Sequence, residues 1–444
     1  MRPGSRQPGW YGAKHSYLLV VSKFGRRRVL RLKEKYKYQD LPNRGKSTIR
    51  IATVHPGGPN QTIRITLRIE QFDTEHCPSY EALSYAWGPP QKYMTRVILQ
   101  HQKHGRLNKP MLHRGWLGVR SNLASALQQL RSESKPRDVW IDALCIDQDD
   151  EIQKGPQVAM MGEIFGHALR VIVWLGPESR DSSRAMGLIQ SLGVQVEMDW
   201  SSFKLSASQY ALHPDITDPF KYLSLEIDDL EALKNLFDRE WFDRLWIRQE
   251  IFRANQKTSV LYCGKANVHW HIFRRGWLLI YMKPNHQGHH ALDDRVQRTL
   301  HGFLFQREIA HLNSLRDNFK SGQCADPRDR IYAIRGLLSE ELQQAICPDY
   351  TKSVEDVYKD AVFAYFRDTC DLGILAQCCF SPEWKGPSWA PDWSFSTPTE
   401  YDLTWKMASG MITSSAIMNG LGNCYGLGQA YPNRSGLARQ LAYI

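Results

Sequence analysis

Glu250 closes the run Trp241-Phe242-Asp243-Arg244-Leu245-Trp246-Ile247-Arg248-Gln249-Glu250, four residues after Trp246. On a helix that spacing puts the two side chains on one face. A carboxylate beside an indole can hold ribose hydroxyls and offset the positive charge that develops at a sugar carbon as its leaving group departs, as carboxylates do in glycoside cleavage. Trp246 or Trp87 would then supply an aromatic wall for a base or a nicotinamide ring. The same residues also make an ordinary structural unit, with Trp246 in the core and Glu250 paired with Arg244 or Arg248 at the helix surface. Asp142 lies between Ile141 and Ala143 inside the apolar run 139–146. A buried carboxylate left without a partner is costly or takes up a proton. Asp142 is therefore either an acceptor for backbone amides or Arg, the favoured role, or a site residue at a strand end. Asp147 and Gln148 follow directly, where loop residues meet ligands, and a turn-forming role explains them equally well. Tyr85, Trp87 and Gly88 end another run, and Gly88 either admits a ligand close to the backbone or makes the turn before Pro89.

Other candidates are weaker. Cys145 has no nearby His, and a buried cysteine behaves mostly as a small hydrophobe. Gly45-Lys46-Ser47-Thr48 resembles the end of a phosphate-binding loop, but Asp40 stands where the first glycine belongs and no strand precedes it. His286, His289 and His290 lie in a polar loop with no carboxylate or cysteine at ligand spacing. No metal and no permanently bound cofactor are expected.

The elements that must position these side chains are legible from periodicity. Residues 49–69 alternate apolar and basic at period two around Pro56–Asn60, a hairpin pattern. Residues 81–87, 138–146 and 170–175 read as strands. Residues 121–131 read as a helix with Ser121 as N-cap and Leu123, Leu127 and Leu130 on one face; a second helix carries Val158, Met161, Ile164 and Phe165. Short strand–helix–strand units of this kind call for parallel strands with crossover helices, and unalternating apolar strands suit a sheet covered on both faces. Residues 190–225 have the pattern of an insertion, and 229–252 return to helix. Further helices are expected after Asp326-Pro327 and from Ser353. There is no internal repeat of 20–50 residues.

Composition narrows the class. Of 57 Lys and Arg, 14 fall in residues 1–50, against only Glu34 and Asp40; the remainder carries 43 basic and 44 acidic residues. The folded body is close to neutral, so a duplex-binding face is not expected and nucleic acid is not the expected partner. The basic segment suits a disordered arm, a nuclear localisation patch or a transit peptide. Its apolar run Tyr17–Val21 is too short for a signal peptide core or a membrane span. Nine irregularly spaced cysteines with no C-x-x-C pair suit reduced thiols in a cytoplasmic, soluble protein.

Four blocks in order, Tyr80–Gly88, Val139–Gln148, Val171–Gly176 and Trp241–Glu250, together resemble the fungal HET (heterokaryon incompatibility) domain. The resemblance covers about residues 45–255 and extends more weakly through Asp326–Ala333, Pro348-Asp349-Tyr350 and Trp389–Trp393. Asp147-Gln148 replaces the usual Asn-Gln, Ile164-Phe165 the usual Ile-Tyr, and the connection 101–119 is longer than the family tends to have. HET domains are similar to TIR domains, flavodoxin-like modules of which some cleave NAD at the nicotinamide–ribose bond with a Glu in a Trp-x-x-x-Glu segment; the matching positions are Trp246 and Glu250.

The resemblance implies an α/β fold, a TIR/flavodoxin-like parallel sheet with flanking helices followed by a mainly helical region. The expected organisation is a basic arm at 1–44, disordered; a HET domain with its hairpin at 45–255; a mainly helical region at 256–400; and a Gly/Ser/Asn-rich tail at 401–444. The implied role is fungal non-self recognition and programmed cell death. One route is NAD hydrolysis, with NAD as substrate, Glu250 as the catalytic carboxylate, and Tyr85, Trp87, Gly88, Asp142, Asp147, Gln148 and Trp246 as its binding residues. The alternative is a non-catalytic module that acts by self-association and binding of other proteins, with no membrane span. An enzyme requires Trp87, Asp142 and Glu250 to line one cleft; a scaffold does not.

Overall fold

The structure is a computed structural model. It describes residues 17–21, 27–31, 34–283 and 312–394, apart from 74, 76, 92–93, 105–109, 203, 320 and 379–381. The expected tail at 401–444 and the histidines at 286–290 lie outside the described residues.

The basic segment contributes an antiparallel ribbon, β1 (Tyr17–Val21) with β2 (Arg27–Arg31). The folded body then begins before residue 45. Tyr36 donates its backbone N–H to Trp116 O (2.9 Å), and Trp116 N–H donates to Glu34 O (3.0 Å). Tyr36 and Leu41 are buried. Composition alone placed this stretch in the arm, because two buried residues among many cations leave no periodic signal.

The central sheet has nine strands. The hairpin expected at 49–69 is β3 (Thr48–Val54) paired with β4 (Arg64–Gln71). Then come β5 (Glu81–Tyr85), the long ribbon β6 (Thr95–His104) and β7 (Pro110–Val119), helix α1 (Ser121–Leu130), and β8 (Arg137–Trp140). Helices α2 (Asp142–Cys145), α3 (Glu151–Ala159) and α4 (Met161–His167) lead to β9 (Val171–Trp174). After α5 (Ser182–Val194), a separate ribbon of β10 (Val196–Asp199) and β11 (Lys204–Ala207) forms the body of the expected insertion. Helices α6 (Ile227–Phe237) and α7 (Ile247–Phe252) precede the hairpin β12 (Val260–Cys263) and β13 (Ala266–His269), which leads into α8 (Trp270–Met282).

Spatial order across the sheet is β13-β12-β9-β5-β8-β3-β4-β6-β7. The contiguous strands β12, β9, β5 and β8 are all parallel, and antiparallel strands extend this core on both sides. In chain order the parallel strands stand 2-1-3-4, the flavodoxin-type order, in which the chain leaves β5 for one neighbour and then crosses to the other. Every residue of β5 and β9 is buried, as unalternating apolar strands require. Glu81 is the charged residue of β5. Burial pushes its carboxyl up, but Arg137 Nη2 (3.0 Å) and Arg170 Nε (2.5 Å) donate to Oε1 and hold it below its ordinary range.

Two expected elements are shorter than the apolar pattern suggested. The run 138–146 is not one strand: β8 ends at Trp140, and Asp142 opens the single turn α2, accepting the Ala143 N–H on its own Oδ1 (2.7 Å). A side chain that satisfies the next amide favours a turn over a ladder. Likewise 229–252 is two helices joined by a 3₁₀ turn at Glu240–Asp243. That turn brings Trp241 and Phe242 into an aromatic cluster where Phe242 stacks on Phe273 and Phe273 on Trp270. Such ring pairs add about 0.5–1.5 kcal/mol each beyond their burial.

The later region is helical, with α9 (Leu312–Phe319), α10 (Asp329–Tyr332), α11 (Glu340–Ala345) and α12 (Val354–Thr369). Ser353 caps α12 as expected, its Oγ accepting from Asp356 N (3.1 Å). Asp326 does not cap a helix starting at Pro327. It closes a turn onto Arg328 N (3.0 Å), and α10 starts at Asp329. Among the described residues no helix is long and apolar enough to cross a membrane.

Candidate functional site

The carboxyl ends of the parallel strands are where an open α/β sheet presents side chains to a ligand. After β5 the chain continues through Ala86, Trp87 and Gly88, and after β9 through Leu175 and Gly176; both glycines have positive φ, +71° and +108°. At Gly88 an added Cβ would come no nearer than 3.8 Å to another residue, so its backbone conformation, not crowding, calls for glycine. The crevice between these two strand ends is bridged by protein. Asn122 donates Nδ2–H to Ala86 O (2.7 Å) and accepts from Trp174 Nε1 (2.9 Å), while Arg239 donates to Leu175 O (2.9 Å) and Pro177 O (3.0 Å).

Open space lies instead on the other side of β5. A cavity of about 740 Å³ is walled by Tyr85 and Trp87 after β5, by Ala143, Asp147, Gln148 and Asp149 after β8, and by the β6–β7 ribbon. Of the sequence candidates, Tyr85, Trp87, Asp147 and Gln148 line it; Gly88, Asp142, Trp246 and Glu250 do not. The ribbon residues Arg96 and Trp116, together with Arg120 and Lys35, complete the wall. Sequence reasoning missed them. The ribbon read only as a long connection rich in His, Lys and Arg.

Directly behind the wall sits a chain of paired polar groups. Trp87 Nε1 donates to Asp142 Oδ2 (2.8 Å). Gln148 Nε2 donates to the Asp142 carbonyl (3.1 Å) and pins the turn after β8. Burial pushes the Asp142 carboxyl up to about 6; Arg244 pulls against that shift and the Glu250 charge adds to it. Burial, and then the Asp142 carboxylate, hold the Tyr85 phenol protonated. Asp142 thus has the backbone-amide partner its burial called for. Asp147 accepts from Asp149 N (3.3 Å) in a turn, and its own partial burial raises it.

Glu250 lies deeper, 1% exposed. Oε1 accepts from Arg244 Nη2 (3.1 Å), and Oε2 accepts from Arg244 Nη1 (3.2 Å) and from the Ser84 hydroxyl. Ser84 in turn accepts from Trp241 Nε1 (2.7 Å). Ser84, a small hydroxyl side chain between Leu83 and Tyr85 in β5, was visible in the sequence but went unread. Trp246 and Glu250 do share one helical turn, with Glu250 N–H donating to Trp246 O (3.3 Å), yet their side chains serve different partners. Trp246 Nε1 donates to Asp329 Oδ2 (3.1 Å), and Tyr350 donates its hydroxyl to Asp329 Oδ1 (2.7 Å). Burial raises Asp329 to about 6.

Cys145 is fully buried, and burial lifts its thiol to about 12, so it is no nucleophile at neutral pH. Its carbonyl accepts from Arg50 (3.1 Å). Among the described residues no group of three His, Cys, Asp or Glu is placed to hold a metal ion.

Residues 80–250 match the family described as Heterokaryon incompatibility protein (HET). The chain is also 25% identical over 429 residues to the Heterokaryon incompatibility protein 6, OR allele, of Neurospora crassa. That alignment covers 79% of this chain but only 59% of the Neurospora protein, so this chain spans little more than half of its relative. No solved structure matches it.

Proposed function

We propose, from the premise that residues 80–250 of this chain are a HET domain, that it acts in fungal non-self recognition as a signalling module. In this reading the cavity beside Trp87 is the element that senses a ligand, and death follows from assembly with other proteins or with further copies. The observation that carries it is the placement of Glu250. Both carboxylate oxygens are engaged and the residue is 1% exposed, so in this arrangement it reaches no substrate. A buried carboxylate paired with Arg through two bonds is a structural anchor, and breaking it costs fold stability before it costs chemistry.

Cleavage of NAD is the second reading. It draws support from the aromatic wall and from Asp142, raised to about 6 and one hydrogen bond behind the cavity-lining Trp87. It requires Glu250 to leave Arg244 when copies of the domain assemble. NAD loss and nicotinamide release by the purified full chain at high concentration, beside Glu250→Gln, separate the two. Under the signalling reading neither protein turns NAD over, and the parent kills when expressed in a fungal host, as does Glu250→Gln where it folds. Turnover by the parent that vanishes in a folded Glu250→Gln establishes the enzyme.

A further inference from the structure

We propose that the cavity binds a nucleotide, with phosphate held by Arg96 and Arg120 and the base lying against the Trp87 and Trp116 rings. This rests on the cavity being the working site; it is independent of turnover. Arg96 Cζ sits 4.5 Å from the Trp116 ring centroid and Arg120 Cζ 5.6 Å from that of Trp87. Each guanidinium thus lies within cation–π distance of an indole that also lines the cavity. Among the described residues neither Arg96 nor Arg120 has a carboxylate partner, whereas Glu81, Asp138 and Glu250 each hold an arginine. Arg120 spends one donor on the Gly88 carbonyl, and a guanidinium has five.

The surroundings favour the same ligand. Arg120 is the residue before α1, a ten-residue helix with no acid in its first turn, and Leu123 of that turn lines the cavity. The partial positive charge of that helix end adds to the two guanidinia. Planar guanidinium groups match phosphate oxygens two at a time, which makes arginine the side chain suited to this anion. Tyr85, Tyr38 and Gln148 add aromatic and amide lining, and of the two lining carboxylates, Asp147 and Asp149, the second is paired with Lys35 at 3.5 Å. An apolar ligand would leave both cations uncompensated. A nucleic-acid strand would call for a basic stripe, and the 43 basic against 44 acidic residues after position 50 give no sign of one. About 740 Å³ lies within the range of small-ligand pockets and holds a base, a ribose and phosphate.

The test is titration of the full chain with ADP, followed by indole fluorescence and by calorimetry, beside adenosine and inorganic phosphate. ADP is expected to saturate, and adenosine and phosphate are each expected to bind at least about tenfold more weakly. Arg96→Gln and Arg120→Gln should each weaken ADP by about tenfold while circular dichroism stays unchanged. Arg184→Gln, which alters a surface pair with Asp228 and Asp229, should change nothing. The proposal is overturned if ADP fails to saturate, if either arginine variant binds as the parent does, or if phosphate alone binds as tightly as ADP. Loss of cell killing in a folded Trp87→Ala, with no ADP binding by the parent, would keep the cavity as the working site and remove the nucleotide.

Discussion

Arg244 and Glu250 face each other through two hydrogen bonds, and the Glu250 side chain is 2% exposed. Arg244 follows the 3₁₀ turn and Glu250 belongs to α7, so the pair fastens turn to helix. Through Ser84 it also fastens both to β5. Removing one member of such a pair strands a buried charge, a loss of about 3–5 kcal/mol. Glu250→Ala should lower the urea midpoint accordingly, and Arg244→Met should do the same. The double variant should lose clearly less than the two single losses together. Additive losses would mean that the pair is not the source of the effect.

Asp142 and Asp329 give the fold an unusual pH response. Burial raises both to about 6, from an ordinary 3.8. A carboxyl whose folded pKa is raised binds more protons in the native state between those values. Its favourable contribution is complete below about 3.8 and is lost as pH rises through 6. For Asp329 the loss between pH 4.5 and 7.5 is about 2 kcal/mol. Asp329→Asn cannot titrate, so its deficit against the parent should be larger at pH 4.5 than at 7.5 by about that amount. Urea unfolding at the two pH values measures it, and an equal deficit at both would place Asp329 as an ordinary ionised acid.

Much of the sheet was legible because it depends on local pattern. The apolar runs 81–87, 138–146 and 170–175 each hold a strand, ending at Tyr85, Trp140 and Trp174, and these three strands are adjacent and parallel; the hairpin at 49–69 fell where its alternation placed it. What was not legible depends on distant partners. Nothing near Glu250 says whether it faces a cleft or Ser84, because the choice is made by a strand 166 residues away. Arg96 and Trp116 lie on a ribbon whose register is set by long-range pairing, Arg96 opposite Gly118 and Ile98 opposite Trp116. Tyr36 joins the core only because Gly115 lets its backbone lie close: a Cβ there would fall 2.4 Å from Tyr36 Cα.

The cysteines should separate by burial. Cys77, Cys347 and Cys370 are exposed, whereas Cys145 and Cys263 are buried, with their thiols raised by burial. In native protein at pH 7.5 a maleimide should label the first three within minutes and leave Cys145 and Cys263 unlabelled until denaturant is added. Peptide mass spectrometry reads the order directly. Rapid labelling of Cys145 in native protein would mean that α2 opens readily and would reopen its chemistry.

The segments after residue 255 complete the core of the body that precedes them. Leu245 N–H donates to Gln323 O (2.9 Å), and Gln323 N–H donates to Asp243 O (2.6 Å). Trp246 needs Asp329, Gln249 accepts from Gly336 N (3.2 Å), and Arg335 donates to Ala159 O (2.7 Å). Gly155 lies so close to this segment that a Cβ would meet Pro348 O at 2.4 Å. A fragment ending at 255 strands the Trp246 indole and the Gln249 amide and uncovers the apolar side of α4 and α7. Each stranded buried group costs about 1–3 kcal/mol, and a domain's whole stability is about 5–15 kcal/mol. Residues 45–255 expressed alone should therefore be insoluble or lack a cooperative thermal transition, whereas 34–394 should unfold in one step. A cooperative transition in the shorter fragment would show that residues 45–255 fold without the segments that follow.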